Sequence, residues 1–120
     1  MSEAGPLRRA DLTPGPPTPG MVRLAAYAAD DRWIGHVSSE PGVVSGWHHH
    51  GEHETYFYVV SGGTHIELAG GRTFDVLAGD FANIPAGTVH REGTLGDVTL
   101  EAIVIRMGTG PQVFEVPDPE

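Results

Sequence analysis

Four of the seven histidines crowd one stretch of this chain, Trp47-His48-His49-His50-Gly51-Glu52-His53-Glu54. Imidazole and carboxylate together are the donors a divalent transition metal takes. If the stretch is extended, His48 and His50 project from one face about 6–7 Å apart. Both rings can then lean onto a single ion, at metal–nitrogen bonds of about 2.1 Å. His49 points to the opposite face and is not expected to be a ligand. Two imidazoles alone make a weak site; a working one needs a third and usually a fourth donor, with a position open for substrate or water. Taken by itself the triplet also reads as a polar surface run. Its place in mid-chain, between two strand-like segments, argues against the remnant of a tag.

The elements that must hold these side chains are short strands. Thr55-Tyr56-Phe57-Tyr58-Val59-Val60-Ser61 carries the strongest strand pattern in the chain, and Gly62-Gly63 ends it. Further strands are expected over residues 21–27, 33–39, 64–68, 72–77, 81–84, 88–91, 98–107 and 112–116. Turns fall at Asp30-Asp31, Pro41-Gly42, Gly70-Gly71 and Gly79-Asp80, and a loop over residues 93–97. Apolar residues nowhere keep a 3.6 period long enough for a helix. The fold class is therefore all-β. Many short strands without a parallel β-α-β pattern must close or stack to protect their edges.

The chain has 120 residues, enough for one domain. Residues 1–20, with five prolines and three glycines, read as an extended tail, and residues 21–120 as a single barrel domain. The formal charge is −9 and there is no lysine, which argues against nucleic acid and anionic membrane as partners. There are no cysteines, hence no thiolate ligand, nucleophile or disulfide. No apolar run suggests a secretory signal or a membrane span, and the expected location is the cytoplasm. No Ser-His-Asp order or phosphate-cradling glycine loop stands out, so no catalytic residue is named.

Two segments together resemble the motifs of the cupin superfamily. The first is usually written G-x5-H-x-H-x3,4-E-x6-G; here it is Gly42, His48, His50, Glu54 and Gly62. The second, G-x5-P-x-G-x2-H-x3-N, is Gly79, Pro85, Gly87 and His90, with Thr94 where the asparagine would stand. The resemblance spans residues 22–116. It implies a double-stranded β-helix, or jelly-roll, barrel with one divalent transition metal ion (Fe, Mn, Ni, Co or Zn) held by His48, His50, Glu54 and His90. It also implies a small-molecule substrate or ligand, no organic cofactor, and a homodimer. The most concrete activity is oxygenase-type chemistry on a small oxygenated molecule. A metal-dependent isomerase, lyase or decarboxylase, and a non-catalytic binding or sensing module, are the alternatives.

One spacing departs from the motif. Seven residues, not six, separate Glu54 from Gly62. Counting back from Gly62 puts Thr55 at the usual glutamate position, and alternation from Val59 puts Thr55 and Phe57 on one face and Glu54 on the other. Three completions stay open: Glu54 binds after a local shift, water completes a three-histidine site, or His53 swings in. Arg91 and Glu92 read as a surface pair or as groups at the mouth of the site, with the surface pair the more expected reading for Glu92. Arg106, on a long apolar strand, needs a partner or an anionic ligand if buried.

Overall fold

The computed structural model describes residues 3–119. Strands β1 (Thr13–Pro14), β2 (Met21–Ala29), β3 (Arg32–Ser39), β4 (His48–His49), β5 (Glu54–Ser61) and β6 (Gly63–Leu68) are followed by β7 (Thr73–Leu77), β8 (Phe81–Ile84), β9 (His90–Thr94), β10 (Leu100–Met107) and β11 (Phe114–Glu115). They form two antiparallel sheets, ordered β1-β2-β3-β10-β5-β8 and β11-β4-β9-β6-β7. From β3 to β11 the chain passes between the sheets at almost every connection, and only β6 and β7 are consecutive within one sheet. This winding is the jelly roll expected from the sequence. No helix among the described residues is long and apolar enough to cross a membrane.

Period-two alternation builds the interior. On β5, Thr55, Phe57 and Val59 are buried while Glu54, Tyr56, Tyr58 and Val60 are half-buried or exposed. β10 lies beside it in register, pairing Arg106 with Thr55, Val104 with Phe57 and Ala102 with Val59. The apolar core is Phe57, Val59, Ile66, Val76 and Ile84, with Leu68, Phe74 and Val104 packed around it. Burying each such side chain contributes about 1.5–3 kcal/mol. Gly62 locks the position of β5. Its φ is +74°, and a Cβ there would stand 2.8 Å from the Thr99 carbonyl oxygen, so no other residue can occupy this corner without strain.

Two stretches differ from the expectation. Residues 93–94, read as loop, belong to β9. Thr94 N–H donates to Val43 O, and its hydroxyl donates to Ser39 Oγ across the sheets. Residues 88–89, read as strand, form a turn in which Thr88 N–H donates to Pro85 O. In the tail, Thr13 and Pro14 pair with Ala25 and Leu24 at the edge of the larger sheet. Leu7 and Leu12 lie beside Ala26, Ile34 and Ile103 on its outer face.

Candidate metal centre

Three histidines from separate parts of the chain meet inside the barrel. His48 and His90 are direct partners where β4 pairs with β9, and His50 follows just beyond β4. Their ring centroids are 5.0 Å (48–50), 4.3 Å (48–90) and 5.1 Å (50–90) apart. One donor nitrogen from each lies within 4.8 Å of the other two. All three rings are buried.

Each Nδ1 faces a backbone carbonyl: Gly46 O at 2.8 Å for His48, Gln112 O at 2.8 Å for His50, and Thr88 O at 2.9 Å for His90. A carbonyl only accepts, so each Nδ1 carries the proton and each Nε2 keeps its lone pair. The rings are therefore in the ligand tautomer, oriented by the same kind of second contact that fixes metal-bound imidazoles elsewhere. Burial pushes the His50 pKa down to about 3, with Arg106 and the two neighbouring imidazoles acting in the same direction against the Gln112 carbonyl. Burial also lowers His90. Three imidazoles in one pocket, each with its Nε2 left free by the carbonyl at Nδ1, fit a divalent transition metal.

The structure does not bring Glu54 into this group. It lies on the opposite face of β5 from Thr55, and its Oε2 accepts the Ala86 N–H at 2.9 Å. Turning it inward would require β5 to slip by one residue, which would turn Phe57 and Val59 out of the core. The seven-residue interval to Gly62 is the trace of this arrangement. Thr55 takes the inward position, and its hydroxyl accepts a hydrogen bond from Arg106 Nε at 3.1 Å. His53 is buried but points elsewhere: Nε2 meets Gly110 O at 2.9 Å, and Nδ1 has no partner. His49 faces away, stacked on Phe114 at 4.9 Å.

Two charged residues join the histidines. Arg106 points inward beside Thr55, and its Nη1 reaches Gln112 Oε1 at 3.4 Å. Burial lowers its pKa, and among the described residues no carboxylate forms an ion pair with it. Of the two readings of Glu92, surface pair with Arg91 or group at the mouth of the site, the geometry favours the second: its Oε1 stands 3.6 Å from His48 Nε2. The signal for it was available, because on a strand a residue two beyond His90 shares its face. Arg91 faces the other way, doubly hydrogen-bonded to Glu67 at 2.6 and 3.2 Å and lying over the Trp47 ring. A cleft of about 650 Å³, lined by Leu68, Phe74, Val76, Ala82 and Ile84 among others, contains none of the three histidines.

Comparisons with known proteins agree with this geometry. The profile of a family described as Cupin domain matches residues 35–106. The curated protein acireductone dioxygenase 1 of Nocardia farcinica is 32% identical over 72 residues, a match that takes in 58% of this chain and only 38% of that protein. Among solved structures, a conserved protein with a double-stranded beta-helix domain from Klebsiella pneumoniae superposes with a TM-score of 0.73 at 18% identity, over 87% of this chain and 90% of that one. The oxalate decarboxylase of Lactobacillus farciminis, in a formate complex, gives 0.75 at 22% identity, over 89% of this chain and 34% of that one. At such identities the two structures establish the fold, a double-stranded β-helix.

Proposed function

This chain belongs to the cupin domain family, and from that premise we propose that it is a metal-dependent enzyme of the oxygenase type, acting on a small, oxygenated, anionic molecule. The observation that carries the reading is the set of three buried Nδ1–carbonyl contacts, which leaves three Nε2 lone pairs in one pocket. His48, His50 and His90 are the residues that would hold the ion. When bound, such an ion supplies Lewis-acid polarisation of a substrate oxygen or, if redox-active, a place to activate dioxygen.

The chain's own residues do the rest. Arg106, inside the barrel, forms no ion pair among the described residues, although the Glu92 carboxylate acts on it through space; it offers its remaining N–H donors to a substrate carboxylate or enolate. Thr55 and Gln112 hold the guanidinium in place. The apolar walls around Phe57 and Val104 keep water scarce, which strengthens that attraction. The relative named as a dioxygenase supports the oxygenase class. We extend the proposal to a homodimer, because the outer face of β5 and the edge strand β8 expose Tyr56, Val60 and Phe81. Light scattering at the mass of one chain would remove that part.

The test is metal analysis of the purified protein, with His48→Ala and His90→Ala beside it, followed by oxygen uptake with catechols, diketones and hydroxy acids. The reading requires a stoichiometric transition metal in the parent chain and its loss in both variants. A protein that binds no metal even after reconstitution sinks it.

A further inference from the structure

We propose that Glu92, and not Glu54, supplies the carboxylate of the metal set, so that β9 provides two ligands, His90 and Glu92. The inference rests on the metal reading above and deepens it. Glu92 shares the inward face of β9 with His90, since Leu68 and Ile66 of β6 are their register partners and Ile66 lies in the core. Its Oε1 is 3.6 Å from His48 Nε2, the ring nitrogen that the Gly46 carbonyl does not engage.

The placement is built into the backbone. Ser45 N–H donates to Glu92 O at 2.8 Å, and Glu92 N–H donates to Ser45 Oγ at 3.0 Å. Gly46, the next residue, carries the carbonyl that orients His48. Glu92 and His48 are thus tied to one short segment, and their relative position does not depend on side-chain packing alone. Glu54, by contrast, is committed to the Ala86 N–H on the far face of β5. A cation lying beside both would take one ligand atom from each, His48 Nε2 and Glu92 Oε1. The Glu92 oxygens do not lie within 4.8 Å of all three histidine donors; the side chain, 37% exposed, would turn further inward to complete the set.

The experiment is a Co(II) titration of the metal-stripped chain against a competing chelator, with the visible spectrum recorded, for the parent, Glu92→Gln and Glu54→Gln. Circular dichroism confirms that each variant is folded. Glu92→Gln is expected to weaken Co(II) by about tenfold or more and to change the position and intensity of the ligand-field bands. Glu54→Gln is expected to leave both as in the parent. Unchanged bands in Glu92→Gln, even with weaker binding, would reduce Glu92 to a nearby charge and overturn the assignment. Loss of affinity in Glu54→Gln with retention in Glu92→Gln would return the role to Glu54. If the parent takes up no Co(II), the metal reading fails with it; if the parent binds and Glu92→Gln matches it in both readouts, only the Glu92 assignment fails.

Discussion

The barrel interior has two unlike regions built from the same strands. One is apolar: Phe57, Val59, Ile66, Val76 and Ile84 close on each other with almost no exposed surface. The other is polar: His48, His50, His90, Arg106 and Thr55 occupy inward positions that a stability argument alone would give to Val or Leu. The change from one to the other takes two residues. On β10 it runs from Val104 to Arg106, and on β5 from Phe57 to Thr55. The first region holds the fold together by excluding water. The second accepts the desolvation of three imidazoles and a guanidinium, each held by hydrogen bonds to carbonyls, Thr55 or Gln112.

The largest expected effect probes the apolar side. Ile66→Ala should cost about 2–5 kcal/mol of stability, read as a lower urea midpoint, while the folded fraction still binds metal with the parent affinity. A comparable loss of metal affinity would mean the regions are not separable. On the polar side, His90→Ala should weaken metal binding by more than roughly 100-fold, beyond what loss of an outer contact costs, measured by chelator competition. The stability of the metal-free chain should change far less than in Ile66→Ala.

The pH dependence sharpens the contrast. The His50 pKa is about 3 in the folded chain against an ordinary 6.5, and His90 is lowered too. Between those values the unfolded chain binds a proton that the native one excludes. The metal-free protein is therefore most stable above about pH 6.5 and loses stability as the pH falls toward 3. Urea midpoints between pH 7 and 5 should show this slope, and His50→Gln should flatten it; an equal slope in both would assign it to other groups. The smallest effect is that of Arg106→Met. Replacing a buried charge by an apolar side chain of similar length should leave stability unchanged or raise it by about 1 kcal/mol. Calorimetry with a hydroxy acid should show anion binding lost, whereas unaltered binding would place the anion elsewhere.

Much of the site was legible because strand periodicity is local. His48 and His50 two apart, His49 turned away, and the Pro85-x-Gly87 turn before His90 all follow from chain geometry over a few residues. The seven-residue interval before Gly62 put Thr55 at the counted glutamate position but left Glu54, water and His53 open as completions of the site. For Glu92 the sequence left two readings, a surface pair with Arg91 or a group at the mouth of the site, and adjacency to Arg91 favoured the first. In the folded chain the two side chains lie on opposite faces of β9, and Arg91 belongs to Glu67 on the neighbouring strand. The carbonyls that set the tautomers were not legible, since Gln112 is 62 residues from His50.

The sequence by itself determined the all-β class, its alternation and the shared face of His48 and His50, because each depends on spacing along an extended chain; His90 joined them through the resemblance to the second cupin motif. Only the tertiary structure decided the fate of the carboxylates. Glu54 and Glu92 are chemically identical, and both lie close in sequence to a ligand histidine. The register of β5, held by Phe57, Val59 and Gly62, turns one outward, and the pairing of β9 with β6 and Ser45 turns the other in. Register is a property of neighbouring strands, and no single strand's sequence contains it.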